Sequence, residues 1–454
     1  MLSKSIALSL FFGLSISCSF AQTVSETLPN GLKIIIREDS RAPVVVSQIW
    51  YRVGSVDEVN GWTGLSHALE HMMFKGTKKV PAGEYSRRIS SLGGSDNAFT
   101  SHDQTVYYAK AAAVHLPEIL ALEADRMSNL NFSDTDFENE IKVIKEERRM
   151  RTDDQPTGVL YEALYANAFV ANPVRTPIIG WMDDLDHLQA KQLRSWYWRW
   201  YTPNNATIVI VGDVKAEETL QTIRKQFGKI KPRPFPTRQL TVEPEQTGIK
   251  RVEVSAPSEL PMIALAYKVP RLQNVDDKEP YALSILSDVL DGHAASRLSK
   301  RLVREKHLAT NVSAGYGGLQ RGEALFVLSG VPAQGVSLAE LEQALKAEIA
   351  EIAQNGVTQE ELEVIHNQND AYDIYEKDSM YAQAIGIGTL ETNGFSYQDE
   401  ERMKQNERKI TSQDVRQAAK SLTDSKLTVV TLKPLPLDSK QVETAVEEDN
   451  SHVR

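Results

Sequence analysis

The same plan of predicted strands and helices occurs twice along this chain, and that duplication limits the folds open to it. In the first half, alternation and helical periodicity predict elements at 32–36, 44–53, 64–74, 84–92, 114–127, 133–152 and 205–213, with a closing helix to about 227. The second half repeats the plan at 251–254, 262–268, 280–290, 296–305, 311–317, 324–330 and 427–432, with long helices before the last strand. We therefore predict an α+β protein of two homologous domains, each a mostly antiparallel sheet covered by helices.

A proline-rich stretch, KPRPFP at 231–236, separates the two halves. Proline favours extended, semi-rigid chain, so we predict a linker over 231–249. The N-terminal domain is then expected over 22–230 and the C-terminal domain over 250–433. The polar, charged residues at 434–454 predict a disordered tail.

The first 21 residues have the pattern of a secretory signal peptide. Lys4 precedes an apolar run at 6–16, and small residues lead to a cleavage site after Ala21. The run is too short for a membrane anchor. Lipidation at Cys18 is the alternative, although residues 15–17 fit it poorly. We therefore expect a periplasmic or secreted protein.

The composition narrows the classes of partner and of metal ligand. Net charge is -10 and no long block of Lys or Arg occurs, which argues against nucleic acid or an anionic membrane as the main partner. No other stretch is apolar and long enough to cross a membrane. Cys18 is the only cysteine, so after cleavage a metal site would have to use histidines and carboxylates.

The most specific short motif is H-x-x-E-H, formed by His67, Glu70 and His71 on a predicted helix. Residues four apart lie on one face of a helix, so both imidazoles can approach one ion. Glu70 lies close to that face and can reach a water molecule at the ion without being a ligand. Catalytic zinc uses three protein ligands and keeps one position open, so a third ligand must come from elsewhere. The alternative is that both histidines are ordinary core or surface residues.

The third ligand is expected from a predicted helix that carries Glu140 and Glu147. Seven residues make about two helical turns, so these carboxylates share a face. Glu147 would bind the ion and Glu140 would orient a ligand, while Glu146 points elsewhere and is solvated. Taken alone, the pair would be interpreted as a solvated charged face, and only the H-x-x-E-H motif favours a metal site.

Several segments together resemble the pitrilysin/insulinase family of zinc metallopeptidases, in its short two-domain branch that includes mitochondrial-processing-peptidase-like chains. The resemblance covers nearly the whole chain after residue 21. It rests on LPNGL at 28–32, GLSHALEHMMFKGT at 64–77, GGSDNAFT at 93–100, the pair Glu140 and Glu147, and WYTPNNA at 200–206. It implies zinc ligands His67, His71 and Glu147, the base Glu70, supporting Glu140, and a clamshell in which two homologous units enclose a peptide.

The resemblance also implies a place for the substrate. Residues Asn97, Ala98, Phe99 and Thr100 would lie on a sheet edge near the metal, paired with residues 103–108 on the other side. A peptide could add there as an extra strand, so that backbone hydrogen bonds supply affinity. An ordinary edge strand is the alternative.

One region departs from the family pattern. Active members usually carry an Arg and a Tyr from the second domain that bind the substrate carbonyl. Arg304 matches the first, but Thr310 stands where Tyr is expected, the spacing is one residue short, and Tyr316 lies further along. The departure implies that one chain alone does not complete the site and that a partner supplies the missing pair, in an obligate homodimer or in a heterodimer with a metal-less homologue. Arg304 could equally be a surface residue.

The function predicted from these residues is zinc-dependent endoproteolysis. The Zn²⁺ enzyme would hydrolyse peptides or unfolded polypeptide segments in an enclosed chamber, with Glu70 as general base. Two alternatives stay open: a non-catalytic peptide-binding or scaffolding subunit, and a zinc hydrolase that acts on a small molecule.

Overall fold

A computed structural model describes residues 23–238 and 241–437, which contain eleven strands in two sheets. The predicted signal peptide and residues 438–454 of the predicted tail lie outside these ranges. The strands are β1 Thr23–Thr27, β2 Lys33–Glu38, β3 Val44–Tyr51, β4 Ser95–Thr100, β5 Thr105–Ala112, β6 Ala206–Gly212, β7 Lys250–Pro257, β8 Met262–Val269, β9 Ala309–Tyr316, β10 Ala324–Pro332 and β11 Leu427–Leu435.

Fourteen α-helices lie in the same part of the chain. They are α1 Leu65–Met72, α2 Glu84–Ser91, α3 Leu116–Asn129, α4 Asp134–Arg148, α5 Pro156–Ala168, α6 Met182–His187, α7 Ala190–Trp200, α8 Ala216–Phe227, α9 Lys278–Asp291, α10 Leu338–Asn355, α11 Gln359–Asp378, α12 Met380–Thr392, α13 Glu400–Arg408 and α14 Ser412–Ser421. Wider π-helical turns at Arg149–Asp153 and Ser299–Glu305 follow α4 and precede β9. Among the described helices there is no candidate for a membrane-spanning segment.

The two sheets have one topology. The strand order is β1-β2-β6-β3-β5-β4 in the first and β7-β11-β8-β10-β9 in the second. Without β1, both read first, fifth, second, fourth and third along the chain. The pairs β2–β6 and β7–β11 are parallel and the other described pairs are antiparallel. The predicted α+β duplication is therefore confirmed.

Each half covers one face of the other half's sheet. Helix α5 of the first half buries Leu160 and Leu164 against β8 and β11 of the second sheet. Helix α12 of the second half packs on β3 and β6 of the first sheet. A β-carbon at Gly388 in α12 would lie 1.9 Å from Cε2 of Trp50, so this close approach requires glycine. The two sheets are therefore stabilised by each other's helices.

Two boundaries differ from the prediction. Strand β11 continues to Leu435 because Pro434 and Leu435 still pair with Ala256 and Pro257 of β7, so the predicted tail from 434 begins too early. The described part of the predicted linker has neither helix nor strand, but it is held in place. The Glu243 carboxylate accepts backbone hydrogen bonds from residues 170–172 and binds Lys268.

Candidate active site

Helix α1 begins at a crowded turn that fixes its direction. Gly64 has φ +83°, and a β-carbon there would lie 2.6 Å from the carbonyl oxygen of Ile179. The buried Glu58 carboxylate accepts hydrogen bonds from the backbone N–H groups of Gly64 (2.7 Å) and Ser66 (2.6 Å). It thereby satisfies N–H groups of the first turn that have no partner within the helix. The buried apolar face of α1 then orients His67 and His71 towards α4.

Helix α4 presents two carboxylates to α1. It is capped by Ser133, whose hydroxyl accepts a hydrogen bond from the Asp136 backbone while the Asp136 carboxylate accepts one from the Ser133 backbone. Its buried side chains are Phe137, Ile141, Ile144 and Arg148. The α-helix ends at Arg148, four residues before the predicted end, because the chain widens into a π-helical turn there.

Three predicted ligands converge. Nε2 of His67 lies 3.7 Å from Oε2 of Glu147, and Nε2 of His71 lies 3.3 Å from the same oxygen. One donor atom from each residue falls within a group in which no two atoms are more than 4.8 Å apart. Within the described ranges, no other group of three such residues meets that condition. Two imidazole nitrogens and one carboxylate oxygen match the donor set of catalytic zinc sites, so the residues present fit a zinc ion.

Glu140 and Lys75 support one of these histidines. Nδ1 of His71 donates a hydrogen bond of 2.9 Å to Oε1 of Glu140, and Lys75 binds the other carboxylate oxygen. The hydrogen bond from His71 lowers the pKa of Glu140 to about 2. Burial lowers the pKa of His71, but its bonds to Glu140 and Glu147 outweigh burial and raise this pKa to about 9. The Nε2 atom of His71 is therefore directed to Glu147, and an arriving metal ion would displace its proton.

Glu70 faces the same space without joining the three converging residues. Its carboxylate accepts a hydrogen bond from the hydroxyl of Thr100, the last residue of β4. Burial raises the pKa of the Glu70 carboxyl. A buried carboxyl with a raised pKa is suited to accept and return a proton near neutral pH.

A cavity of about 820 Å³ joins these residues to the sheet edge. Strand β4 is the last strand of the first sheet and pairs with β5, for example Asn97 with Tyr108, while its other edge has no partner strand in the described chain. The residues that line the cavity include His67, Glu70, His71 and Glu147. They also include the strand residues Asn97, Ala98, Phe99 and Thr100. The predicted strand residues and the converging histidines therefore border one space.

Arg148, which sequence reasoning missed, connects α4 with two neighbouring elements. Its buried guanidinium donates to both carboxylate oxygens of Glu162 in α5 (2.8 and 2.9 Å) and to the carbonyl of Gly180 (2.9 Å). Gly180 packs directly on Gly64, where α1 begins. Arg148 therefore ties the helix of Glu147 to the start of the histidine-bearing helix. The run of charges at 145–149 concealed it, because spacing alone does not show which arginine is buried.

Arg304 does not join the site within this chain. It is exposed on the π-helical turn of the second half and is not among the described residues that line the cavity. Thr310 is also exposed, and the Tyr316 hydroxyl donates to the carbonyl of Pro270 instead. Sequence reasoning also missed Glu58 and Lys75, although Lys75 lies in the segment at 64–77 on which the family resemblance rests.

Comparisons with known proteins show which family this chain resembles. A family model described as Insulinase (Peptidase family M16) matches residues 33–181, and one described as Peptidase M16 inactive domain matches residues 187–369. The zinc protease PqqE of Helicobacter pylori is 34% identical over 345 residues, which are 75% of this chain and 76% of that protein.

Solved structures extend the likeness to almost the whole chain. A protease from Helicobacter pylori has a TM-score of 0.87 at 31% identity and covers 91% of this chain and 100% of its own. The periplasmic protease PqqL from Escherichia coli shares the fold, with a TM-score of 0.77 at 21% identity, over 94% of this chain and 50% of the longer PqqL chain. The chain therefore belongs to the insulinase family of peptidases, family M16, in its short two-domain form.

Proposed function

We propose that this chain is a zinc endopeptidase that cleaves peptides or unfolded polypeptide segments. The observation that carries the proposal is the convergence of His67, His71 and Glu147 beside Glu70, in a cavity bordered by an unpaired strand edge. The names of relatives such as the zinc protease PqqE support zinc as the metal.

The residues of the chain have separate tasks in this chemistry. His67, His71 and Glu147 hold zinc, which when bound supplies Lewis acidity towards water and a peptide carbonyl. Glu70 takes a proton from the attacking water and passes it to the leaving amine. The hydroxyl of Thr100 keeps the Glu70 carboxylate turned towards the strand edge. Glu140 holds His71 through Nδ1, and Lys75 holds Glu140.

The substrate is proposed to bind as an added strand along β4. Residues 97–100 have one backbone edge in the β5 pairing, which leaves the other edge free for a peptide. Backbone pairing accepts many sequences, as an enzyme of unfolded segments requires. Thr100 lies at the end nearest Glu70, so the bond to be cleaved lies at that end of the added strand.

A homologous partner is proposed to complete an enclosed chamber. Arg304 does not line the cavity of its own chain. PqqL is a longer chain, and this protein matches half of it. An assembly that contains two copies of the fold would account for both observations. The partner is a second copy or a related chain without metal. We place the protein in the periplasm or outside the cell, as the signal-like residues 1–21 and the periplasmic relative PqqL suggest.

A second candidate is a subunit that captures peptides without cleaving them. The position of Arg304 favours it, as does the match of the second half to a model described as an inactive domain. In both candidate functions a peptide binds along the edge strand β4. Only in the first does Glu70 act as a general base.

The deciding experiment compares wild type with Glu70→Gln, both loaded with zinc. We expect the variant to keep its zinc and lose roughly 1,000-fold in peptide cleavage, within the range of about 10²–10⁴ for general acid–base groups. Glu146→Gln, at a carboxylate that is 65% exposed, is the matched control and should cleave like wild type. Cleavage that survives in Glu70→Gln would refute the mechanism, and zinc-loaded wild type that binds but never cleaves peptides would favour the second candidate.

A further inference from the structure

The turn at 101–104, directly after β4, contains a histidine that the proposed mechanism does not use. His102 lines the cavity that contains Glu70 and the converging residues. It comes two residues after Thr100, at the end of the strand where the bond to be cleaved is proposed to lie. The side chain is therefore close to the reacting end of a peptide on β4.

A buried serine fixes the proton on this ring. Ser55 is 1% exposed, and its hydroxyl lies 2.7 Å from Nδ1 of His102. Among the described residues the Ser55 hydroxyl has no other acceptor for its proton, so we assign it as the donor and Nδ1 as the acceptor. Burial lowers the pKa of His102 to about 4, so the ring is neutral at pH 7. A neutral imidazole whose Nδ1 accepts carries its hydrogen on Nε2.

The Nε2 atom of His102 is free to serve a ligand. It forms no hydrogen bond with any other group in the described chain, but it is not among the side-chain atoms sealed from solvent without a partner. The ring lines the cavity and Nε2 is not sealed from solvent, so we assign the Nε2–H group to the cavity side of the ring. A single N–H donor of this kind matches a carbonyl oxygen.

The turn is held rigidly from both halves. Backbone N–H groups of Ser55 and Val56 donate to the carbonyls of Ser101 (3.2 Å) and His102 (3.0 Å). Arg321 of the second half donates to the Asp103 carbonyl and binds the Asp57 carboxylate at 2.8 Å. A donor fixed before the substrate arrives loses little entropy when it binds.

We propose that His102 donates its Nε2–H group to a main-chain carbonyl of the peptide, at the reacting end of the added strand. His102 is then a substrate-binding residue, supplied by the first half, in a chain whose Thr310 stands where a tyrosine from the second half was expected. The inference rests on the proposed peptide-binding function.

The test measures binding in the zinc-loaded Glu70→Gln background, so that turnover does not interfere. The probe is fluorescein-labelled β-casein, an unfolded polypeptide, followed by anisotropy. Adding His102→Phe should raise Kd by about three- to tenfold, as the loss of one neutral hydrogen bond predicts. Adding His102→Gln, which keeps an N–H donor, should restore Kd to within about twofold of the background. His187→Gln, at a side chain that is 73% exposed, is the control and should not change Kd.

Equal Kd values for the Phe variant and its background would overturn the inference, as would equal losses in the Phe and Gln variants. Loss of zinc from the Phe variant would also overturn it, because His102 would then act through the metal site. Different results would refute the proposed function. In that case zinc-loaded wild type would not cleave β-casein, or Glu70→Gln would cleave it at the wild-type rate.

Discussion

The two halves of this molecule have one sheet topology and different chemistry. In the first half, α1 follows β3 and carries His67 and His71. In the second half, α9 follows β8 at the equivalent point, contains no histidine and buries a broad apolar surface. Both β4 and β9 are sheet edges, but only β4 borders the cavity with the converging residues. The comparison teaches that the duplicated fold supplies the scaffold, and that a few side chains on one copy supply the site.

The halves also differ in what they give each other. The first half provides α5, whose Tyr161 and Glu162 line the cavity on one side while Leu160 and Leu164 pack on the second sheet. The second half provides α12, which packs on β3 and β6 of the first sheet and contributes no residue to the cavity lining. The second half therefore contributes to the site mainly by supporting the first. Four substitutions test this comparison, from the largest expected effect to the smallest.

The largest effect is expected from Glu147→Gln, because it removes one of the three proposed ligands. Zinc affinity should fall at least 1,000-fold, which corresponds to about 4 kcal/mol. Competition with a chromophoric chelator measures the change. Glu146→Gln, one residue away and exposed, should bind zinc like wild type. Equal affinities for wild type and Glu147→Gln would show that the carboxylate is not a ligand.

Arg148→Met should be the next most severe change. It leaves the Glu162 carboxylate without its buried partner and removes the bond to Gly180 that connects α4 with α1. The free energy of unfolding should fall by about 3 kcal/mol, the lower end for breaking a buried ion pair. Urea denaturation measures it, with Arg149→Met, at an exposed residue, as control. If the two variants lose equally little, Arg148 does not hold the helices together.

Gly388→Ala tests the support that the second half gives to the first. A methyl group there would enter the Trp50 ring, so α12 must shift on the sheet, and overpacking of this kind costs about 1–3 kcal/mol. Thermal unfolding should show the loss, together with altered tryptophan fluorescence. Gly386→Ala in the same helix meets no atom within 4 Å and should not destabilise the protein. Similar behaviour of the two variants would contradict the packing of α12.

The smallest effect is expected from Lys75→Met. Glu140 loses its lysine partner and holds His71 less firmly. Supporting residues of metal ligands typically contribute about 10- to 100-fold in affinity, and an indirect support should lie at the lower limit. Calorimetric titration with zinc measures the change, and Lys79→Met, at a side chain that is 80% exposed, is the control. If Lys75→Met binds zinc as tightly as wild type, Lys75 does not support the metal site.

The parts of the site that depend on helical spacing could be predicted from sequence. His67 and His71 are four residues apart and Glu140 and Glu147 are seven apart, so each pair shares a helix face wherever the helix lies. The sheet duplication was equally accessible, because alternation and periodicity are local signals. Whether the two pairs converge depends on how α1 packs against α4. Helical spacing does not determine that packing, and only the H-x-x-E-H motif, which needs a third ligand, made it an expectation that the structure could test.

Other features depend on long-range contacts that local patterns do not report. Arg148 is one of several neighbouring charged residues, and its importance appears only when Glu162 and Gly180 are seen beside it. Gly388 looks like a weak point in a helix until Trp50 is found against it. The exchange of α5 and α12 between the halves could not be read from domain boundaries drawn at a proline-rich segment. The position of Arg304 also depends on long-range contacts. The sequence match that singled it out did not show whether it would reach the cavity.

The most direct test of the central claim is anomalous X-ray diffraction at the zinc edge from crystals of the zinc-loaded protein. The account predicts one strong peak within about 2.0–2.2 Å of Nε2 of His67, Nε2 of His71 and a carboxylate oxygen of Glu147. A peak that lacks any of these three contacts, or a zinc ion bound elsewhere on the chain, would contradict it.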